Sequence, residues 1–348
     1  MNSMNSLNYR PTYFTGLPAT GILERRGGLD PVDPYCFDDT IAIAVDVALA
    51  TGRPLLVAGD PGSGKSRLAD AVAAVQGWNL LSRTITSRTR LETLTAEVDQ
   101  LRRLHDANVH RAGDTLKPDG CYLNPGIFWW AFAPATARCR GLPPPEARAH
   151  QAELDYPGID RGRGAPHDTV LLLDEIDKAE PDLPNDLLEP LDRRRFDLPD
   201  GVRIDGRGHI GAAEGAPTLL TIITTNGERE LPPAFIRRCI LLDLQPPEEP
   251  AAALARLVRI GSRHLPPADE AEHRRIEAIA QLILEFRVKA REARLRPPGT
   301  AEFLDAIRAC HRLRIEVSDQ DPVWCRLEQA VLDKGGELRR ALGARDPA

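Results

Sequence analysis

The sequence has few aromatic residues, no paired cysteines and no long apolar run. Of 348 residues, 5% are aromatic and six are cysteines, none in a CxxC pair or at zinc-ligand spacing. Scattered cysteines in a chain of this size indicate buried thiols in a reducing compartment. No apolar run reaches the roughly 18 residues of a membrane-spanning helix, and the polar N-terminus lacks the apolar core of a signal peptide. We therefore predict a cytoplasmic protein without a membrane partner.

The sequence also lacks an excess of positive charge, with 45 Lys and Arg against 51 Asp and Glu. The net charge of −6 gives no overall attraction to nucleic acid, whose binding usually requires a basic face. Arginine clusters at 83–90, 102–103 and 193–195 are interpreted as solvated helix faces or contacts between subunits. His105 and His110 are five residues apart, the wrong spacing for two ligands on one helix face, so no metal is assigned to histidine. We expect no nucleic-acid partner.

Short apolar runs alternate with helical patterns in the first two thirds of the chain, which is typical of strands buried on both faces of a parallel sheet. The runs lie at 54–58, 80–85, 170–173, 219–224 and 240–244, and helical patterns at 41–50 and 66–75. After 245 the strand signals cease, and helical patterns occupy 251–263, 270–294 and 300–317. We predict an α/β fold: an αβα sandwich with a parallel sheet at 37–245, an all-helical domain with a C-terminal tail at 246–348, and an irregular lead-in at 1–36.

Residues 59–66 read Gly-Asp-Pro-Gly-Ser-Gly-Lys-Ser and fit the phosphate-binding pattern G-x-x-x-x-G-K-[ST] at every fixed position. The glycines let backbone N–H groups turn towards phosphates, and the following helix presents its positive end to them. Lys65, interpreted as an exposed loop charge, would reach the β and γ phosphates, and the Ser66 hydroxyl would ligate Mg²⁺. A chance glycine turn is the alternative, and the strand before and the helix after count against it. The nucleotide-binding residues are then Asp60, Pro61, Gly62, Ser63, Gly64, Lys65 and Ser66.

A second apolar run, 171–175, ends in two carboxylates. Asp174 would hold Mg²⁺ through its water shell, and Glu175 would orient and polarise an attacking water. The alternative is a strand that enters an acid-capped helix. We interpret Asp177 as a helix-start residue rather than a metal ligand.

Two further features follow these motifs. Asn226 ends another apolar strand, and ligands of parallel sheets lie at strand carboxyl ends, so it would lie beside the γ-phosphate; a plain Asn-Gly turn remains a rival. Arg237 and Arg238 would supply, from a neighbouring subunit, positive charge to the transferred phosphoryl group. A surface pair is the alternative, and the sequence does not say which arginine would act.

Together these motifs resemble the AAA+ ATPases, most closely the MoxR-like branch, over roughly residues 35–315. The matching elements are Walker A at 59–66, Walker B at 171–175, the sensor 1 position at Asn226 and the arginine-finger position at 237–238. Phrases at 53–56, 85–87, 125–131, 174–179 and 225–231 are similar to that branch too. The resemblance implies an insert near 87–118 and a hairpin near 196–218, before sensor 1, both facing the pore of a ring.

The resemblance implies a chaperone-like hydrolase that binds ATP and Mg²⁺ at the subunit interfaces of a ring, a hexamer, and remodels a protein client. A client carrying a von Willebrand A domain is one such partner. Two alternatives stay open, a nucleic-acid-directed motor of restriction type and a slow nucleotide-switched signalling scaffold. Many relatives begin a lid helix with a sensor 2 arginine, but that position here holds Thr300 or Ala301. Arg296, just upstream, is the candidate for the role, unless the role is absent.

Overall fold

The computed structural model describes residues 7–27, 31–109, 117–161, 168–206, 218–318 and 320–332. The chain forms two compact units. The sheet unit comprises Met1–Ala19, Asp38–Ala58 and Val72–Leu242, and the helical unit comprises Thr20–Phe37, Gly59–Ala71 and Asp243–Ala348. No helix among the described residues is both long and apolar enough to cross a bilayer.

The strands of the described residues, in chain order, are β1 (Ile22–Leu23), β2 (Tyr35–Cys36), β3 (Leu55–Ala58), β4 (Asn79–Thr84), β5 (Ala96–Val98), β6 (Leu123–Pro125), β7 (Thr169–Asp174), β8 (Arg195–Asp197), β9 (Arg203–Asp205), β10 (Leu219–Thr225) and β11 (Ile240–Asp243). Their α-helices are α1 (Asp39–Thr51), α2 (Lys65–Gln76), α3 (Leu91–Thr95), α4 (Gln100–Val109), α5 (Ile127–Phe132), α6 (Pro134–Arg138), α7 (Pro144–Ala149), α8 (Leu183–Asp186), α9 (Leu188–Arg193), α10 (Pro233–Ile236), α11 (Pro250–His264), α12 (Glu270–Ala293), α13 (Thr300–Leu313) and α14 (Pro322–Val331). Two 3₁₀ turns lie at Asp119–Tyr122 and Ile176–Lys178.

The centre of the sheet unit is a five-stranded sheet in the order β11-β3-β10-β7-β4. β10 pairs in parallel with β3 and with β7, and β7 pairs in parallel with β4. All seven residues of β10 are buried, as are the first five of β7. Burial on both faces explains why these strands read as continuous apolar runs. The parallel sheet with flanking helices, followed by a helical C-terminal region, confirms the predicted fold class.

Hydrogen bonds to α1 hold the first described segment of the chain against the sheet unit. The Asp46 carboxylate, 4% exposed, accepts from the Tyr9 hydroxyl at 2.7 Å. It also accepts from the backbone N–H groups of Thr12, Tyr13 and Phe14 at 2.9, 2.6 and 2.7 Å. Burial raises the pKa of Asp46, but the hydrogen bonds outweigh it and hold the pKa below its ordinary value.

Two short antiparallel pairs lie in or next to the stretches predicted as inserts, and the first pair extends past 118 to Pro125. Between α3 and α5, β5 pairs with β6 and the two enclose α4 in the sequence. Before β10, β8 pairs with β9. The remaining parts of these inserts, 110–116 and 207–217, lie outside the described residues. A third pair, β1 with β2, belongs to the helical unit and lies inside the stretch 1–36 that the sequence predicts to be irregular.

The helical unit has a core of its own. Ile279, Ile283 and Phe286 of α12 are at most 2% exposed and pack with Phe303 of α13 and Trp324 of α14. The helices α11, α12 and α13 lie within a few residues of the stretches read as helical in the sequence. Of the C-terminal domain predicted at 246–348, residues 319 and 333–348 lie outside the described residues.

Candidate nucleotide and metal site

The glycine loop, residues 59–66, connects β3 to α2. Gly59, Gly62 and Gly64 have φ angles of 149°, 80° and 97°, a region that residues with a side chain seldom adopt. The loop closes on itself, because Ser63 N donates to Asp60 O at 3.1 Å. The local sequence therefore forms the turn that the phosphate-binding pattern requires.

Lys65 is the first residue of α2 and is folded over its own loop. Its Nζ donates to Gly59 O at 2.7 Å and to Asp60 O at 2.9 Å, and the residue is 6% exposed. The interpretation of Lys65 as an exposed charge is wrong, because the loop carbonyls cover the ammonium group. Both of these carbonyl bonds lie within the glycine loop.

A pocket adjoins the loop within the helical unit. It is lined by Asp60, Pro61 and Ser63 of the loop, by Leu244, Pro246 and Pro247, by Ala253, Arg256, Leu257 and Ile260 of α11, by Arg287 and Arg291 of α12, and by 297–300. Arg287 Nε donates to Pro298 O at 2.9 Å. Burial lowers the pKa of Arg287, and the nearby Asp60 carboxylate opposes that shift. None of the three arginines in this pocket was predicted from the sequence. The available signal was the four-residue spacing of 287 and 291 on one helix face.

The start of α13 contacts the glycine loop directly. Gly299 N donates to Glu302 Oε2 at 3.1 Å, and Ala301 N donates to Gly62 O at 3.2 Å. The helix begins at Thr300, so no arginine occupies its first position. The Arg296 side chain is 63% exposed, and its terminal nitrogen lies 3.7 Å from Glu302 Oε1. Arg296 is not among the described residues that line the pocket.

In the sheet unit, Thr224 joins the two carboxylate residues at the end of β7. Its hydroxyl donates to Asp174 Oδ1 at 2.6 Å and accepts from Glu175 N at 2.8 Å. Glu175 has φ 62° and ψ 52°, in the left-handed region. The chain therefore turns sharply after the strand, and Asp174 and Glu175 stand on either side of one hydroxyl from the neighbouring strand.

The Glu175 carboxylate has a partner on each oxygen. Oε2 accepts from Lys178 Nζ at 2.7 Å, and Oε1 accepts from Asn226 Nδ2 at a longer 3.4 Å. The hydrogen bond to Glu175 raises the pKa of Lys178. The structure thus brings together Glu175 and Asn226, two of the sequence-predicted residues, and adds an ammonium group that the sequence analysis did not consider.

Asp177 fixes the turn that carries Asn226. It lies in the 3₁₀ turn Ile176–Lys178, is 2% exposed, and its Oδ2 accepts from Asn226 N at 3.1 Å and from Glu228 N at 2.9 Å. Its role is therefore more than that of a helix-start residue, since it ties the end of β10 to the segment after β7. The available signal in the sequence was that Asp177 is a third acidic residue within four positions, after Asp174 and Glu175.

The predicted donors suit Mg²⁺, which is usually held by one or two carboxylates together with phosphate oxygens and water. By the sequence prediction, Ser66 would supply a hydroxyl and Asp174 a carboxylate. Across the described ranges, no group of three or more His, Cys, Asp or Glu side chains could hold a metal by itself. This donor set fits a metal that arrives with a phosphate ligand.

The predicted arginine pair lies between α10 and β11. Arg238 Nε donates to Asp192 Oδ2 at 2.6 Å. Arg237 is exposed, and its guanidinium forms no hydrogen bond or ion pair with another described residue. The two adjacent arginines thus have different surroundings.

Comparison with known proteins gives one family match. A family model described as AAA domain (dynein-related subfamily) matches residues 54–239, which contain the glycine loop, Asp174, Glu175, Asn226 and the arginine pair. A solved structure of a single-site mutant of RuvB from Thermotoga maritima is 14% identical, with 88% of this chain and 81% of that chain covered and a TM-score of 0.35. Among curated proteins, none is significantly similar. Because the family model spans more than half of the sequence, the chain belongs to the dynein-related subfamily of AAA domains, within the AAA+ ATPases.

Proposed function

We propose that the protein is a MoxR-like ATPase that binds Mg-ATP at its glycine loop, hydrolyses it at the subunit interfaces of a hexameric ring, and uses the cycle to remodel a partner protein. The proposal includes the division of the chain into a nucleotide-binding core at 37–245 and a helical lid at 246–348. Family membership supports nucleotide binding, and the cluster around Glu175 supports hydrolysis.

The roles of the residues follow from their chemistry. Lys65 and the loop N–H groups would bind the phosphates, and Ser66 and Asp174 would hold the metal. Glu175 would orient a water and accept its proton, while Asn226 keeps the carboxylate in place. Bound Mg-ATP would supply the phosphoanhydride bond and the charge of the metal. The Arg296 role stays open, because its side chain is exposed and paired with Glu302.

The position of the arginine pair is the observation that supports hydrolysis at subunit interfaces. Ile240 N donates to Pro54 O at 2.8 Å, so the pair lies at the amino end of β3. Asp174 is the last residue of β7 and Glu175 follows it, so both lie at the carboxyl ends of the parallel strands, where Ala58 lies opposite Thr225. A four-residue strand is about 13 Å long. The arginines therefore lie at the amino ends of the parallel strands, and the carboxylates lie at the carboxyl ends. An arginine there serves a different subunit.

Mixed rings test this arrangement. Glu175→Gln and the double variant Arg237→Ala/Arg238→Ala should each bind ATP and fail to hydrolyse it. Their mixture should regain ATPase activity, because some interfaces combine an intact Glu175 with intact arginines. The matched control mixes Glu175→Gln with Lys65→Ala, in which no subunit has a complete site, and should stay inactive. Absence of recovery in rings shown by native mass spectrometry to be mixed would contradict the proposal.

Exposed apolar side chains on α4 support a protein client rather than nucleic acid. Leu101 and Leu104 are 82% and 60% exposed, one helical turn apart within the predicted insert. A protein carrying a von Willebrand A domain is the client class that we propose. Capture on Glu175→Gln with ATP should retain such a protein, and Leu101→Ser/Leu104→Ser in the same background should retain less. Recovery of DNA by both variants would favour a nucleic-acid motor instead.

A further inference from the structure

We infer that Arg53 is a positioning residue for the turn that presents Arg237 to the neighbouring subunit, and that Arg237 rather than Arg238 acts there. The inference rests on the ATP-hydrolysing ring proposed above. It assigns a role to a residue outside the four motifs of the site and separates two arginines that the sequence treats alike.

Arg53 binds three successive carbonyl groups of that turn. Its Nε donates to Arg238 O at 3.1 Å, and one terminal nitrogen donates to the carbonyls of Arg237 and of Cys239, the latter at 3.3 Å. These carbonyls belong to the three residues that directly follow α10, a helix of four residues. A planar guanidinium with five N–H donors suits such a row of acceptors.

The same turn is anchored on its inner side. Cys239 is 6% exposed, its thiol donates to Phe235 O at 3.4 Å, and burial raises its pKa to about 12. Ile240 N bonds to Pro54 O, the residue after Arg53. Backbone and side chain together therefore tie the turn to the start of β3, so that little freedom remains except in exposed side chains.

The two arginines of the turn differ in what they are free to do. Arg238 donates to Asp192 Oδ2 at 2.6 Å and to Ala234 O at 3.1 Å within its own chain. Arg237 has no such partner among the described residues and is exposed. Arg238 would have to break two bonds to reach a neighbour, whereas Arg237 needs none. Arg238 and Arg53 thus hold the turn in place, and Arg237 is the arginine whose side chain is available to a neighbouring subunit.

The expected loss of hydrolysis rate differs among four arginine variants. Removal of an acting arginine costs up to about 10³–10⁵ in rate in GTPases, and Arg237→Ala should approach that loss. Misplacement by about 1 Å can cost 10²-fold, which is the loss we expect for Arg53→Ala. Arg238→Ala should cost much less than either. Arg193→Ala, which removes an exposed arginine of α9 that only weakly pairs with Glu189, should leave the rate unchanged.

Rings that mix two variants distinguish a positioning role of Arg53 from a general structural role. Arg53→Ala should bind ATP with normal affinity and be rescued by Glu175→Gln, which brings an intact turn. It should not be rescued by Arg237→Ala, which has the same defect. If Arg53→Ala unfolds, Arg53→Lys is used in the same mixtures, since one ammonium cannot replace the planar fork.

Each result is decisive. Rescue of Arg237→Ala but not of Arg53→Ala by Glu175→Gln would overturn the role of Arg53 and leave the ring intact. Full activity of Arg237→Ala, with loss in Arg238→Ala, would overturn the choice between the arginines. If no pair of variants recovers activity in mixed rings, the proposed function fails instead.

Discussion

The glycine loop of the helical unit and the carboxylate cluster of the sheet unit are built in opposite ways. In the loop the backbone forms the site: three glycines adopt positive φ, and Lys65 bonds to two carbonyls of its own loop. In the cluster, side chains bond to one another: Thr224 to Asp174, and Lys178 and Asn226 to Glu175. In the proposed function, the loop therefore depends on one cationic side chain, whereas each member of the cluster would have a separate part of the chemistry.

The largest effect should come from Lys65→Ala, which removes that one cation. We expect nucleotide binding to be abolished while the fold survives, because the lost bonds lie within the loop itself. Titration with labelled ATP measures the affinity, and thermal melting checks the fold. The matched control is Arg67→Ala, which removes an exposed cation from the same helix. Equal affinity of Lys65→Ala and the parent protein would remove the phosphate-binding role of the loop.

In the cluster, two neighbouring carboxylates should give separable defects. Glu175→Gln should bind Mg-ATP normally and hydrolyse it about 10²–10⁴-fold more slowly, because only proton acceptance is lost. Asp174→Asn should instead weaken the Mg²⁺ dependence of binding. Binding titrations at several Mg²⁺ concentrations distinguish the two. If both variants lose binding alike, the cluster works as one unit, and its contrast with the loop disappears.

A smaller effect is expected from Lys178→Ala. Its ammonium group occupies Glu175 Oε2 at 2.7 Å and competes with any water that the carboxylate would orient. We expect a severalfold higher basal ATPase rate with unchanged ATP affinity. Lys289→Ala, in α12, serves as the control for loss of a lysine elsewhere. A rate that falls in parallel with Glu175→Gln would mean that Lys178 is needed to hold the carboxylate in its working position.

The smallest effect on nucleotide chemistry should come from Asp46→Asn, although the Asp46 carboxylate accepts four hydrogen bonds. Loss of these charged bonds should lower stability by about 1–3 kcal/mol and leave ATP affinity unchanged. Because the folded pKa lies below the ordinary value, this stabilisation is present at neutral pH and disappears as the pH falls through the folded pKa. Thermal melts of parent and variant should therefore converge in acid. A constant difference between them at all pH values would contradict the assignment.

Local patterns allowed much of this molecule to be predicted. Apolar runs located the strands of the central sheet, and the fixed positions of 59–66 located the glycine loop, because both depend on neighbours in the chain. The Thr224 bridge and the Arg53 bonds could not be predicted, since each joins segments far apart in sequence. The burial of Lys65 was missed for another reason: a loop lysine reads as exposed until its own carbonyls are seen to cover it.

The left-handed backbone of Glu175 has a consequence for protein engineering. A residue with a side chain in that conformation costs roughly 1–2 kcal/mol, which glycine would recover. A screen for thermal stability alone would therefore favour Glu175→Gly, a variant that is more stable but lacks the proposed catalytic carboxylate. Stabilised libraries of this protein need a second selection for turnover, since one of the available backbone repairs lies at the proposed catalytic residue.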